Sequence, residues 1–162
     1  MTSLDNLLAR LDRAEARLAG HAATAPDGLT PPEPATGERG DAGQAWAHVA
    51  EFVPYWHGQV ERVLEPGAMR PVSFGRVASD PDRLAAIEDG RAESPSQQMA
   101  RVSDAIEALR TYLRSLSPDD LAVTGTHPTR GEMDVPAIVE RFVVNHLEEH
   151  ADQLDALRGS PR

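Results

Sequence analysis

Apolar residues recur along most of the chain at alternating intervals of three and four positions, the spacing that places side chains on one face of an α-helix. The first such segment begins with a possible N-cap at Ser3 and ends near Gly20, and its apolar stripe consists of Leu4, Leu7, Leu8, Leu11 and Leu18. The second follows a capping-box spacing at Asp41 and Gln44, and its stripe consists of Val49, Phe52, Val53, Trp56, Val60, Val63 and Leu64. Both segments predict amphipathic helices.

The third helical segment has the most regular pattern. Ser94, Pro95 and Gln97 form a strong helix start, and the stripe that follows consists of Met99, Val102, Ile106, Leu109, Leu113 and Leu116. Asp134 and Pro136 begin the fourth segment, whose inward stripe consists of Val139, Val143, His146, Leu147, His150, Leu154 and Leu157. The sequence therefore predicts four long helices.

The segments between these stripes are rich in glycine and proline. Residues 21–43 contain four of each and predict a long irregular connection. Residues 65–93 predict mostly loop, with a short helix at 80–89 because Pro81 suits the first turn of a helix. Pro54 lies inside the second helix, where it removes one backbone hydrogen bond, and it predicts a kink there.

Four amphipathic helices without a convincing strand predict an all-α fold, a four-helix bundle that forms a single domain over residues 1–162. The long connections before and after helix two distinguish this bundle from the minimal up-and-down form with short loops. Bundles place metal sites in their cores, where ligands project inward from facing helices.

The composition excludes several kinds of chemistry. The chain has no Cys, and all sixteen of its basic residues are Arg, so disulfides, thiolate ligands, cysteine nucleophiles and lysine Schiff bases are ruled out. The net charge of −10 argues against a nucleic-acid partner. The N-terminus lacks the apolar block of a signal peptide, and no apolar run has the length of a membrane span, which predicts a cytoplasmic protein with no membrane partner.

Two histidines stand on the inward stripe of the fourth helix. His146 and His150 are four residues apart, so their rings point the same way from successive turns. Burying two imidazoles among apolar neighbours costs roughly a few kcal/mol unless their nitrogens find partners. A shared cation would supply those partners, and a pair of hydrogen-bonded core histidines would satisfy the same pattern.

A third metal ligand must come from another segment. The preferred candidate is His48, at the edge of the helix-two stripe, whereas His57 lies nine residues further on and falls on the opposite side of that helix. His21 and His127 fall in predicted loops, where solvent exposure is the default expectation. Three imidazoles would leave at least one coordination position open to water or substrate, as in reactive zinc sites.

The same two histidines allow another interpretation. Residues 146–150 match the H-x-x-E-H signature of inverted zinc peptidases, with Glu149 as the general base. Those peptidases are typically larger and carry a further acidic ligand well downstream, whereas little chain follows His150 here. The alternative is that Glu148 and Glu149 only form part of a solvated face of the helix.

Two segments together resemble the DinB-like, or YfiT-like, superfamily: residues 47–56, AHVAEFVPYW, and residues 145–154, NHLEEHADQL. The resemblance implies a four-helix bundle, often a homodimer, that holds one divalent metal, commonly Ni²⁺ or Zn²⁺, through His48, His146 and His150. It also implies thiol-dependent transfers and isomerisations that use bacillithiol, mycothiol or glutathione as cosubstrate.

The leading functional hypothesis is therefore a metal-dependent thiol S-transferase, or a related enzyme, that acts on a small molecule. Since the chain has no Cys, a low-molecular-weight thiol must supply the sulfur. Arg76 and Arg83 are candidates for binding a carboxylate of the thiol or the substrate, and the alternative is that both are ordinary surface arginines. Two other classes stay open: a non-catalytic stress-related binding module, and a metal-dependent hydrolase with Glu51 or Glu149 as the base.

Overall fold

A computed structural model describes residues 3–24 and 42–159. Its helices are α1 (Ser3–Ala23), α2 (Ala42–Val63), α3 (Pro81–Gly90), α4 (Pro95–Ser115), α5 (Pro118–Leu121), α6 (Val135–Val139) and α7 (Asn145–Gly159). Its strands are β1 (Val72–Ser73), β2 (Thr124–His127) and β3 (Gly131–Asp134). A π-helical turn, Glu140–Val144, joins α6 to α7. No helix within the described ranges is both long and apolar enough to cross a membrane.

The predicted four-helix bundle is formed by α1, α2, α4 and the continuous segment from α6 to α7. Helix α2 packs against α3, α4, α6 and α7, while α1 packs against α4 and α7. The inward stripes meet in the core, where each helix contributes fully buried side chains, among them Leu11, Phe52, Ile106 and Leu147. Burial of a side chain of this size contributes roughly 1.5–3 kcal/mol.

Polar caps begin the helices where the sequence predicts them. The Ser94 hydroxyl accepts a hydrogen bond from the Gln97 N–H while the Gln97 side chain accepts one from the Ser94 N–H, which completes a capping box at the start of α4. Asp80 caps α3 by accepting the N–H of Arg83 at 3.0 Å, and Asp134 caps α6. The caps at Asp80 and Ser94 fix the chain direction within and after the long connection that follows α2.

The end of α1 differs from the prediction, and the predicted start of α2 lies outside the described residues. Helix α1 continues past Gly20 to Ala23, so His21 is helical and not in a loop. Helix α2 runs through Pro54 as one element, although Asp41 of its predicted capping box lies outside the described residues. The side chain of Leu157, predicted on the inward stripe of the last helix, also lies outside them.

The sequence pattern did not predict a small three-stranded sheet. Its strand β1 lies in the connection between α2 and α3, and its strands β2 and β3 lie in the connection between α5 and α6. Strand β1 pairs in parallel with β2, with Val72 opposite Gly125. Strand β2 pairs antiparallel with β3, with His127 opposite Gly131. Strands of two to four residues are too short to show the alternation that identifies a strand. Residue 127 is therefore part of a strand, and the prediction that its side chain lies in an exposed loop was wrong.

Candidate metal centre

Three histidine rings from two helices meet inside the bundle. One nitrogen each of His48 on α2 and of His146 and His150 on α7 lie within 4.8 Å of one another. The Nε2 atoms of His48 and His146 are 3.2 Å apart. Two imidazole nitrogens on one tetrahedral zinc ion, each about 2.0–2.1 Å from the metal, lie about 3.3 Å apart. The observed spacing therefore suits a shared divalent cation.

Several nitrogens of these rings are buried without a hydrogen bond in the part of the chain that the structure describes. They are Nδ1 of His48 and both ring nitrogens of His150. Gln153 lies close enough to His150 to oppose the lowering of its pKa, but it makes no hydrogen bond of normal geometry with the ring. A buried polar atom without a partner costs about 1–3 kcal/mol. A bound cation would remove part of this cost, so the residues fit a metal site.

Burial lowers the pKa of all three histidines. The pKa of His150 falls from the usual 6.5 to about 4. The pKa values of His48 and His146 fall well below 6.5, because of burial first and then because of repulsion from the neighbouring imidazoles and from Arg83. The rings are therefore neutral at neutral pH, which is the state that a metal ion requires of its histidine ligands.

We expect the metal-free protein to lose stability as the pH falls from about 7 to about 4. Because the pKa of His150 is lower in the folded chain than in the unfolded chain, the unfolded chain binds more protons in this range and acid favours unfolding. For His150 alone the full effect is roughly 3 kcal/mol, absent above pH 6.5 and complete below pH 4. The melting temperature of chelator-treated wild type should fall more steeply as the pH is lowered than that of chelator-treated His150→Leu. Parallel profiles would contradict this expectation.

A phenylalanine ring supports the cluster from one side. Phe52 follows His48 by one turn of α2 and is fully buried. Its ring stacks on that of His146, with centroids 4.4 Å apart and planes 21° apart. The ring centroids of His48 and His150 lie 5.3 Å and 5.9 Å from that of Phe52. One apolar side chain therefore contacts or neighbours all three imidazoles.

The π-helical turn lies directly before the two histidines of α7. The N–H of Asn145 donates to the carbonyl of Glu140, five residues earlier, instead of the usual four. Val143 and Val144 in this turn are both buried, and the ring of His146 that follows it lies against those of His48 and His150. Turns of this kind are frequent at functional sites.

An acidic side chain lies behind the ring of His48. One carboxylate oxygen of Glu51 is 3.5 Å from His48 Nδ1, and the other pairs with Arg76. The guanidinium of Arg76 also lies over the ring of Tyr55, 3.7 Å from its centroid. Burial raises the pKa of Glu51, and Arg76 opposes that rise. A carboxylate at Nδ1 favours a proton on that atom and leaves Nε2 free to bind a metal, as is typical of metal-binding histidines.

Replacing Glu51 with Gln should weaken metal binding about ten- to a hundredfold, because the neutral amide no longer favours the required tautomer of His48. Competition against a chromophoric zinc chelator measures the change. Glu61→Gln is the matched control, since Glu61 lies on the same helix and its carboxylate is 3.3 Å from His57 instead. Equal affinities of Glu51→Gln and wild type would show that Glu51 does not tune the site.

A cavity of about 400 Å³ lies beside His48 and His146. Its polar and aromatic lining also includes Arg76, Arg83, Arg130, His127, Trp56 and Phe142. Among residues 3–24 and 42–159, no Asp or Glu lines it. Arg76, Arg83 and Arg130 all line it, and since Glu51 already pairs with Arg76, it is Arg83 and Arg130 that make the cavity suited to an anion, although the chain as a whole is acidic.

The two arginines predicted to bind a carboxylate both lie at this cavity. Arg83 is buried, and its guanidinium donates to the carbonyl of Ala78 at 2.7 Å. Its other terminal nitrogen is 3.5 Å from Nε2 of His48. Arg76 is held by Glu51, as described above. Neither is an ordinary surface arginine, and their binding of a ligand stays a prediction.

The comparisons with known proteins agree with this architecture. A family model described as the DinB superfamily matches residues 10–154. The chain belongs to the DinB superfamily. A comparison with curated proteins finds no match.

Two solved structures share the fold of this DinB-superfamily chain. YfiT from Bacillus subtilis, described as a probable metal-dependent hydrolase with an unusual four-helix bundle topology, matches with a TM-score of 0.73 and 17% identity over 96% of this chain and 85% of YfiT. A histidine-to-alanine mutant of the mycothiol-dependent maleylpyruvate isomerase matches with a TM-score of 0.67 and 13% identity over 95% of this chain and 63% of the isomerase. The predicted fold and family are therefore confirmed.

The remaining histidines of this DinB-superfamily chain are distributed in ways that the sequence only partly predicted. His57 contacts Glu61 and Tyr112, away from the cluster, as its position on the helix indicated. His21 is buried and pairs with Asp155 at 2.8 Å, so the prediction of exposure was wrong for it. Exposure was also wrong for His127, which lines the cavity. Its position between Gly125 and Gly131, beside Pro128, gave no signal of burial.

The positions of the two acidic residues of the H-x-x-E-H segment do not support a catalytic role for either of them. Glu148 accepts a hydrogen bond from Arg10 on α1, with a terminal nitrogen at 2.9 Å. Glu149 is exposed. Neither lines the cavity, so the geometry does not favour the role of a peptidase general base for Glu149.

Proposed function

We propose that this protein is a divalent-metal-dependent enzyme that adds a low-molecular-weight thiol to a small anionic electrophile, or uses the thiol to isomerise such a molecule. His48, His146 and His150 would hold the ion, Zn²⁺ or Ni²⁺. The observation that carries the proposal is the meeting of three neutral imidazoles, two of which, His48 and His146, line a cavity that arginines also line and that has no Asp or Glu in its wall among the described residues.

Arg83 gives a reason to expect an anionic ligand. Its guanidinium lies 3.5 Å from Nε2 of His48, one of the atoms that would bind the metal. A metal ion held by that atom would lie near the guanidinium, and an anion that contacts both would relieve the repulsion between the two cations. A thiolate or a carboxylate supplies that charge, and guanidinium groups bind carboxylates with two parallel hydrogen bonds.

The metal, when bound, lowers the pKa of an adjacent thiol and so supplies a thiolate at neutral pH. The residues of the chain would bind and orient the reactants. Arg76, fixed by Glu51 and Tyr55, offers a guanidinium in a constant position. Trp56 and Phe142 stack with centroids 4.1 Å apart and form an apolar wall that can cover the carbon skeleton of a substrate and exclude water.

Metal-dependent hydrolysis is the second candidate. It is favoured by the description of YfiT as a probable metal-dependent hydrolase, and three-histidine zinc sites also activate water. The two carboxylates considered for the base do not support it, because Glu51 lies behind His48 and Glu149 is exposed. The third candidate function is a non-catalytic binding module.

Turnover assays separate these classes. The metal-loaded protein is offered bacillithiol, mycothiol or glutathione together with small electrophiles and unsaturated carboxylates, and in parallel it is offered esters and amides without a thiol. We expect thiol-dependent conversion that is lost in His48→Ala. Hydrolysis without a thiol would favour the second candidate. A protein that binds one metal ion but converts none of these compounds would favour the binding module.

Several broader expectations stay proposals. The family resemblance implies a homodimer, and gel filtration with light scattering tests that state. We also propose a single domain over residues 1–162, a cytoplasmic location, and no nucleic-acid or membrane partner. The net charge of −10 is the reason to expect no nucleic-acid partner.

A further inference from the structure

Arg10 on α1 contacts three side chains of the segment that carries two of the proposed metal ligands. One terminal nitrogen, Nη1, donates to a carboxylate oxygen of Glu140 at 2.6 Å. The other, Nη2, donates to Asn145 at 2.7 Å and to Glu148 at 2.9 Å, and Nε donates to the second carboxylate oxygen of Glu148 at 3.1 Å. The pair with Glu148 is therefore bidentate, which makes it both strong and directional.

The three acceptors stand on both sides of the π-helical turn. Glu140 is the first residue of the turn, and Asn145 is the first residue after it and directly precedes His146. Glu148 lies one helical position further along, between the two histidines of α7. Because a guanidinium group is planar and rigid, Arg10 holds one side chain before the turn and two after it in a fixed arrangement.

The register of this turn determines where the rings of α7 point. The N–H of Asn145 donates to the carbonyl of Glu140, so the turn contains one residue more than an α-helical turn. Successive residues of an α-helix lie about 100° apart around its axis. If the turn became α-helical, α7 would rotate by that angle relative to α6, and His146 and His150 would no longer both face His48. Since π-helical turns are rare, this one needs stabilising contacts from its surroundings.

A second arginine of α1 provides a comparison. Arg17 pairs with Asp152 at 2.7 Å and with Asp155 at 2.6 Å, so it also joins α1 to α7 through two carboxylates. Both acceptors follow His150 and lie on one side of the turn, within regular helix. The side chain of Arg17 is 39% exposed, against 28% for Arg10, so solvent screens its ion pairs more. Arg17 therefore ties the two helices together without fixing the register of the turn.

We propose that Arg10 is a positioning residue of the metal centre, which holds the π-helical turn in register and so keeps His146 and His150 directed at His48. Its contribution is preorganisation, because rings that already face one another lose less freedom when an ion binds. The inference rests on the proposed function, since it takes the three histidines as metal ligands, and it goes beyond that function by assigning a role to a helix that supplies none of them.

The test compares zinc binding by the full chain of wild type, Arg10→Met and Arg17→Met. Methionine keeps an unbranched side chain that favours helix but has no guanidinium. In competition against a chromophoric chelator we expect Arg10→Met to bind zinc about tenfold more weakly, as is typical when a residue that orients metal ligands is lost. The visible absorption spectrum of the cobalt-loaded variant should change as well. Arg17→Met should match wild type in both measurements, although it also loses contacts between α1 and α7.

Hydrogen exchange in the metal-free proteins reports on the turn itself. The amide of Asn145, which closes the turn, should exchange faster in Arg10→Met than in wild type or Arg17→Met. Unchanged exchange in Arg10→Met would overturn the inference. Equal losses of zinc affinity in the two arginine variants would also overturn it, because they would reflect only weaker packing of α1 on α7.

The outcomes for wild type separate this inference from the proposed function. A wild-type protein that binds no zinc would contradict the metal enzyme and, with it, the role of Arg10. A wild-type protein that binds zinc no better than folded Arg10→Met would contradict the role of Arg10 alone. If Arg10→Met fails to fold, Asn145→Ala decides, since it removes the acceptor beside His146 and keeps a good helix former. Weaker zinc binding by Asn145→Ala would support the inference, and unchanged binding would overturn it.

Discussion

The His146→Ala variant should bind zinc at least a hundredfold more weakly than wild type. Structural sites with four ligands bind zinc with an apparent free energy of about 10–16 kcal/mol. One imidazole therefore accounts for about 3 kcal/mol of binding free energy, which is more than a factor of a hundred in affinity. His146 is placed to make this contribution, because its Nε2 lies 3.2 Å from that of His48 and its ring lies 4.8 Å from that of His150. The loss should not be compensated, since no Asp or Glu lines the cavity among the described residues.

Competition against a chromophoric chelator measures the ratio of the two affinities. His57→Ala is the matched control, since it removes an imidazole from the same helix as His48 without touching the cluster. Its zinc affinity should equal that of wild type. A folded His146→Ala protein with unchanged zinc affinity would show that the ion is held elsewhere.

The Phe52→Ala variant should be destabilised by about 3–5 kcal/mol and should also bind zinc more weakly. Phe52 is fully buried in the core, so its removal leaves a cavity as well as losing apolar burial. The same ring stacks on His146 at 4.4 Å, and its loss lets the imidazoles move apart in the metal-free protein. Binding must then reorder them, which lowers the affinity.

Denaturant unfolding of the metal-free variant gives the first effect, and chelator competition gives the second. Leu109→Ala is the control for stability alone, because Leu109 is fully buried on α4 but has no part in the cluster. It should lose a similar amount of stability while keeping its zinc affinity. If Phe52→Ala and Leu109→Ala have the same zinc affinity, the support of the rings by Phe52 is refuted.

The helical framework and the placement of the three histidines follow from the sequence by simple periodicity. An interval of four residues puts His146 and His150 on one face of a helix, and the apolar stripe identifies that face as inward. His48 lies at the edge of the apolar stripe of α2, so a bundle brings it within reach. Such arguments use only local spacing and burial, which is why they succeed here.

The rest of the cavity depends on contacts between residues far apart in the sequence. Arg83 approaches His48 only because the capped helix α3 folds back over α2, and His127 is buried only because β2 pairs with β1 across a long connection. The π-helical turn before His146 likewise has no signal in the apolar pattern. These features arise from tertiary packing, and periodicity does not contain them.

X-ray absorption at the metal edge, on protein purified without added metal and with its metal content determined, shows whether the three histidines hold an ion. We expect one divalent ion per chain with three imidazole nitrogens at about 2.0–2.1 Å and at least one further light-atom ligand, all lost when His146 and His150 are both replaced by Ala. Protein without stoichiometric metal, or with an unchanged spectrum in that double variant, would contradict it.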